Sequence, residues 1–486
     1  MSEEIVNELL SEGYLVDPCA VDYIRASDVE IIKSSEETPE VIDRDFIDRV
    51  RSSSGENIET EEGDGDGEDS DDSTNGENRN KNDSEDRRTK VEVEKMFEGS
   101  MKSRDVEDFV QHFNDRYIRM KDLLSNRMEL KDTVSLDRID EYKGDSVSVI
   151  AMVSRKYRTD SGKWIVYLED HSGDIKALVD DKEGERIVPD EVIGISGNVG
   201  EDIIFADQVV RPDVPISREV RGTEEEVHAV FVSDLHMGSS EFLGDRMEKL
   251  LEWINSGEKD IRYLFVVGDM VAGVGNYPGQ KDELEVKDIF SQYEMFSDFV
   301  DRVDEDIQVL IIPGNHDYVR LAEPQPKLPR EVCPDIYDKE NVHWLSNPST
   351  VKIHGFEGRG IRVLMYHGFS FDDHRDKIPE LRKKGMDEPH HCMIDFIKRR
   401  HLAPTFGSCL LSPEERDYMV IDNIPDIFVM GHTHAVSSYS YKGINIISSG
   451  TMEAQTDFQK RRGFQPDPAR IPVVNLKTRE TQIKEV

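Results

Sequence analysis

Cysteine is scarce: the chain of 486 residues has four, at positions 19, 333, 392 and 409, and none forms a C-x-x-C pair. That spacing offers neither a disulfide framework nor a zinc ribbon, and it suits a reducing compartment such as the cytoplasm. Long apolar runs are also missing, so no segment reaches the length of a membrane span. The opening MSEEIVNELLSEGYLV is acidic and amphipathic rather than basic and then apolar, which does not read as an export signal. A soluble cytoplasmic protein with no membrane partner is expected. Positive charge is in deficit, with 61 Lys and Arg against 102 Asp and Glu and a formal net charge of -41. The deficit argues against a non-specific basic coat on DNA. It leaves room for a focused nucleic-acid site, since local basic patches or bound cations reverse the potential where a substrate sits.

A chain of this length exceeds what one core organises. Residues 1–45 place Ile5, Leu9 and Leu10 at helical spacing, with Val16, Val21 and Ile24 following, which predicts a small helical domain. Residues 46–92 are dominated by Asp, Glu, Ser, Asn and Gly. With almost nothing apolar to bury, this stretch cannot offset its ordering entropy and is expected to be a disordered acidic linker. A helical lead-in is predicted over 93–135 from Met96, Phe97, Phe109, Phe113, Tyr117, Met120 and Leu124. The period then changes. SVSVIAMVSRKYR, WIVYLEDHSGDIKALV and EVIGISGNVGEDIIFADQVV alternate apolar and polar residues between Gly and Asp turns, as short antiparallel strands do. Over 136–215 such strands fit a small barrel, most simply an OB-fold.

From residue 226 to 486 buried strands alternate with helical stretches, which predicts an α/β domain: HAVFVSDLH, RYLFVVGDM, QVLIIPGNHD, RVLMYHG, DIFVMGHTH and INIISSGTM. Ligand sites in open α/β sheets gather at the carboxyl ends of strands. Each of the first five segments ends in His, Asp or Asn, supplying Asp234 and His236, Asp269, Asn315 and His316, His367, and His432 and His434. A lone histidine is usually a satisfied core or surface residue, but this many strand ends carrying donors point to metal binding. Carboxylate, imidazole and amide oxygen without thiolate suit Mn, Fe or Zn, with Mg a further alternative, and the number of donors suits two divalent ions. Of these metals Mn is expected.

These residues resemble the calcineurin-like metallophosphoesterase superfamily, whose pattern is D-x-H, G-D, G-N-H-[DE], a lone H, and G-H-x-H. Here the segments read DLH (234–236), GD (268–269), GNHD (314–317), the His of YHG (367) and GHTH (431–434), and the likeness spans about residues 228–455. The resemblance implies a β-sandwich flanked by helices. It also implies that Asp234, His236, Asp269 and His434 hold one metal and Asp269, Asn315, His367 and His432 the other, with Asp269 shared. His316 is then left unligated, and by resemblance it protonates the leaving oxygen. Such ion pairs, about 3.5–4 Å apart, serve in-line attack on phosphorus. One departure is Ala272, where many members of the superfamily carry an Asp that orients the catalytic histidine. What orients His316 is therefore open, with Asp317 as one candidate.

The wider frame resembles the small subunits of archaeal D-family DNA polymerases, through GVGNYPGQ (273–280), PGNHDYVRLAEPQP (313–326), FSFDD (369–373) and KRRHLAPTFG (398–407), together with the barrel that precedes them. That likeness covers about residues 136–486 and implies a 3′–5′ exonuclease that proofreads for a large polymerising subunit. Single-stranded or primer-end DNA would be the substrate, and replication accessory proteins are candidate partners of the amino-terminal domain. Two basic clusters could contact phosphates: Lys398, Arg399 and Arg400, and Lys460, Arg461 and Arg462. A solvated helix or loop face explains the same clusters equally well. Two other functions fit the sequence: a stand-alone metallophosphatase or phosphodiesterase, and a non-catalytic polymerase scaffold.

Overall fold

The computed structural model describes residues 15–16, 41–42, 91–99, 103–215, 218–356 and 359–486. Chain contacts divide the protein into two units, residues 1–75 and 76–486. Within the first unit, strands β1 (Leu15–Val16) and β2 (Val41–Ile42) pair in parallel. The helices expected over 1–45 and the linker expected over 46–92 otherwise lie almost wholly outside the described residues.

In the second unit the lead-in opens with a strand rather than a helix. Residues Glu92–Lys95 form β3, which adds to the edge of a sheet through Val351 and its neighbours. Val93 and Lys95 are too few for an independent helical turn, whereas an unpaired sheet edge offers backbone partners along its length. The helix proper, α1, covers Val106–Ser125 and is capped by Asp105, whose side chain accepts from the backbone of Asp108 while Asp108 returns the bond. Its buried residues His112, Arg116, Tyr117, Met120 and Leu124 form one face, as a 3.6-residue period requires.

The alternating segments form a closed barrel of five strands in the order β4–β5–β6–β8–β7. These are β4 (Ser146–Arg158), β5 (Trp164–Glu169), β6 (Asp174–Val179), β7 (Val192–Val199) and β8 (Ile203–Val210). Alternation puts Val166 and Leu168 of β5 inside, and Leu136 and Ile139 from the preceding 3-10 helix join that core.

The remaining chain builds two six-stranded sheets packed face to face. The first contains β9 (His228–Val232), β10 (Ile261–Val267), β11 (Gln308–Ile312) and β12 (Val342–Trp344), all parallel. The second contains β13 (Ser349–Phe356), β14 (Arg359–Tyr366), β15 (Ile427–Met430), β16 (Ser437–Tyr441) and β17 (Ile444–Ser448), of which β14, β15 and β17 are parallel. An antiparallel pair, β18 (Arg470–Asn475) and β19 (Thr481–Glu485), completes the first sheet beside β9. Phe231 and Phe265 stack at 4.8 Å in the core between the sheets, which also holds Val363, Met365 and Val429. Helices cover the outer faces, each presenting its apolar stripe to the sheet beneath. The parallel strands of both sheets end on one edge, so their loops converge there.

Candidate metal centre

Each predicted ligand follows its strand by a few residues, and the local backbone is strained. Asp234, His236, Asp269, His432 and His434 have φ of 51°, 49°, 52°, 68° and 54°, in the left-handed region that side chains other than glycine seldom adopt. Strain of this kind persists where the surrounding contacts over-determine it, and it collects at functional sites. The adjacent glycines have no room to be anything else. A methyl group on Gly314 would lie 2.2 Å from Asp269 Oδ1, and one on Gly268, itself at φ 85°, would lie 2.4 Å from His367 Nδ1.

The side chains converge on two neighbouring points. His236 Nε2 and His434 Nε2 are 3.1 Å apart, with Asp234 Oδ1 at 3.4 Å from the latter. Asn315 Oδ1 lies 3.0 Å from His367 Nε2 and 3.1 Å from His432 Nδ1, and Asp269 Oδ2 lies 3.3 Å from His367 Nε2. His367 Nδ1 donates to the Val267 carbonyl at 2.9 Å, so in the neutral ring Nε2 presents a lone pair to two further acceptors. Acceptors facing one another in this way need either a second proton or a cation between them. The donor set therefore fits divalent metal ions, and the backbone bond on the far side of the His367 ring is the usual support of a ligating imidazole.

The electrostatics agree with that arrangement. Burial alone would lower the His367 pKa, but the Asp269 and Asp234 carboxylates raise it to about 10. Asp269 is pulled well below its ordinary value against the effect of burial, chiefly by His367 and His316. His236 is lowered to about 3 by burial and by the neighbouring His316 and His434.

His316 is oriented by main chain and not by a carboxylate. Its Nδ1 donates to the carbonyl of Ala272 at 2.8 Å, and its backbone N–H donates to Asp269 Oδ1 at 2.8 Å. The Asp317 carboxylate, the candidate expected for this task, is occupied elsewhere, accepting from the backbone of Gly314 at 2.7 Å, Asp269 at 2.8 Å and Met270 at 3.2 Å. Burial and Asp269 push its pKa up to about 7, while those backbone donors favour the charged form. Asp317 thus ties the 268–270 loop to the 314–317 loop.

A second tie was not legible in the motifs. Buried Asn347 accepts from the His367 backbone at 2.9 Å and donates to Gln325 Oε1 at 2.7 Å, and Gln325 donates to the Gly314 carbonyl at 3.0 Å. The two amides fix His367 against the loop that carries Asn315. Around the centre opens a cleft of about 670 Å³, into which Arg375, Glu453, Tyr277, Phe369 and Phe464 also project.

The sequence matches the family described as the B subunit of DNA polymerase alpha/epsilon over residues 229–438. It is 38% identical over 391 residues to the DNA polymerase II small subunit of Methanocaldococcus jannaschii, covering 76% of this chain and 64% of that one. It is 37% identical over 394 residues to the DNA polymerase II small subunit of Methanothermobacter thermautotrophicus, covering 77% of this chain and 79% of the relative. The chain belongs to the archaeal D-family DNA polymerase small subunits. It spans just under two thirds of the length of the Methanocaldococcus relative. A solved archaeal phosphodiesterase aligns over 53% of this chain and 99% of its own at 13% identity, with a TM-score of 0.26 that is too low to bear on the assignment.

In this small subunit the basic cluster at 398–400 is not available to DNA as expected. Arg399 is buried, with its guanidinium bonded to Asp395 at 2.6 Å, to the carboxylate of Glu191 and to the Arg186 carbonyl. Arg400 is also buried and donates to the Ile421 carbonyl at 2.8 Å. Lys398 lies 5.4 Å from the Tyr441 ring. The sequence showed three adjacent cations; the fold uses two of them internally, and Arg399 binds the barrel segment to the two-sheet body. Lys460 and Arg461 are exposed on a short helix, Asp457–Arg462, whose Gln459 lines the cleft. Among the described residues no helix is long and apolar enough to cross a membrane.

Proposed function

We propose that this chain is a metal-dependent 3′–5′ exodeoxyribonuclease that proofreads as the small subunit of a heteromeric replicative DNA polymerase. The observation that carries the reading is the convergence of Asp234, His236, Asp269, Asn315, His367, His432 and His434 on two neighbouring points of the fold, with His316 beside them and its ring bonded to backbone. The matching architecture is a calcineurin-like phosphoesterase sandwich preceded by an OB-type barrel. The large polymerising subunit is its partner, single-stranded or primer-end DNA its substrate and the cytoplasm its location.

Two divalent ions, Mn before Fe, Zn or Mg, supply a nucleophile at neutral pH and neutralise charge on the phosphate when bound. Asp234, His236 and His434 would hold one, Asn315, His367 and His432 the other, and Asp269 both. The protein's own groups do the rest. Asp269 Oδ1 accepts from the His316 backbone N–H and so ties the loop that carries Asn315 and His316 to the loop after β10, and the Ala272 carbonyl keeps the proton on His316 Nδ1 so that Nε2 faces the cleft. Protonated Nε2 donates to the departing 3′ oxygen, which leaves as a hydroxyl.

The test is metal analysis and single-strand degradation by the purified chain, alone and co-purified with the large subunit, beside the variant Asp269→Ala. Metal near two equivalents and 3′-directed degradation that the variant abolishes support the reading. Metal-free protein, or a variant cleaving within a few fold of the parent, would remove it. Hydrolysis of a small phosphomonoester but not of DNA would favour a stand-alone phosphatase.

A further inference from the structure

Three aromatic side chains from separate segments stand beside three different imidazoles of the centre. Tyr277 is edge-on to His316 with ring centroids 6.5 Å apart, Phe369 to His432 at 6.1 Å and Phe464 to His434 at 6.3 Å. All three line the cleft together with Leu321 and Met386, and none is fully buried or part of a hydrophobic core. Attack on phosphorus requires charge and hydrogen-bond donors and makes no use of solvent-facing aromatic carbon. Partly exposed rings grouped at the mouth of a charged site therefore point to an aromatic portion of the substrate. Cations accompany them. Arg375 lines the same cleft, and exposed Lys460 and Arg461 precede Phe464 on one turn of chain.

We infer that Tyr277, Phe369 and Phe464 form a nucleobase subsite that stacks the last two bases of a DNA strand, while Lys460 and Arg461 meet the phosphates leading to them. The inference rests on the exonuclease reading and deepens it by naming what grips the strand end. Bases of every kind have a π-face, so a subsite of this sort holds a 3′ end without reading its sequence, as a proofreading activity requires. A mispaired or frayed end presents unstacked bases, and those are the ones that can enter.

Binding of a labelled single strand to the full-length protein in EDTA, without hydrolysis, is compared for an ordinary 3′ end and for one abasic at its last two positions. The parent protein should prefer the ordinary end by about 5- to 150-fold per stacked base. Phe369→Ala with Phe464→Ala, which leaves only Tyr277 of the three rings, should lose most of the preference, and Phe464→Leu, which keeps the bulk of the side chain, should lose part of it. No preference in the parent, or an undiminished preference in the double variant, overturns the subsite. DNA cleavage by the parent is followed separately in Mn. Cleavage without base preference would leave the exonuclease reading standing and remove the subsite; base preference without cleavage would do the reverse.

Discussion

The Nδ1 of His316 lies 2.8 Å from the carbonyl oxygen of Ala272, so the backbone of the loop after β10 orients the imidazole on the loop after β11. A main-chain carbonyl, rather than a side-chain carboxylate, is the partner of the ring. A carbonyl cannot accept a proton for keeps, which holds the ring in one tautomer with Nε2 outward.

From this follows the behaviour of His316→Ala. The variant should keep its metal, because His316 is given no ligand role, yet cleave DNA roughly 10²- to 10⁴-fold more slowly, the usual contribution of general acid catalysis. The deficit should shrink on a nitrophenyl ester, whose leaving group needs little protonation. Single-turnover rates on both substrates check it, and an equal deficit on both would defeat the acid assignment.

His367→Ala supplies the contrast. Its Nε2 faces Asn315 Oδ1 at 3.0 Å and Asp269 Oδ2 at 3.3 Å, inside the acceptor set. Metal content and rate should fall together, and millimolar Mn should restore part of the activity. A variant with full metal occupancy would show that His367 stands outside the centre.

The paired amides beneath the centre lead to a third outcome. Asn347→Leu removes the acceptor for the His367 backbone and the donor to Gln325, both in buried surroundings. Each unsatisfied buried group costs about 1–3 kcal/mol. Beyond lower thermal stability, Mn titration of the folded variant should show weaker binding, since the spacing of Asn315 and His367 depends on this tie. Unchanged metal affinity in a destabilised protein would reduce the pair to ordinary core packing.

How much of this was legible in the sequence depends on the range of the signal. The donors of the centre announce themselves because each motif is short and directly follows an apolar strand, as in QVLIIPGNHD. The partner of His316 did not, because it is a backbone carbonyl, and main-chain atoms leave no trace in residue identity. Asn347 and Gln325 are separated by 22 residues and look like ordinary loop amides until the fold places them in contact. Strand β3 was invisible for a similar reason: a strand of four residues depends on the sheet edge that receives it. Arg399 and Arg400 misled because three consecutive cations read as a surface patch, whereas Arg399 is held in part by a carboxylate far along the chain and Arg400 by the backbone carbonyl of Ile421. Glu191 is 208 residues from Arg399.

That last contact sets a stability prediction. Arg399 is held between Glu191 of the barrel segment and Asp395 of its own helix, and breaking a buried pair by removing one partner costs about 3–5 kcal/mol. Arg399→Ala should therefore unfold at lower denaturant than the parent, by an amount little changed by salt. The pH dependence has a definite sign. Against the effect of burial, Arg399 helps hold the pKa of both Asp395 and Glu191 below their ordinary values, with His374 assisting at Asp395. A depressed carboxylate contributes stability above its unfolded pKa of about 4, and that contribution is lost as pH falls toward the folded value. In the variant the two carboxylates keep His374 and Arg211 as neighbours but not Arg399, and they gain protons more readily, so acidification relieves their burial. Denaturant melts at pH 7 and near pH 4 should show the gap between parent and variant narrowing in acid. A gap that is constant with pH, or below about 1 kcal/mol at pH 7, the scale of an exposed ion pair, would show that Arg399 does not bind the barrel to the body through charge.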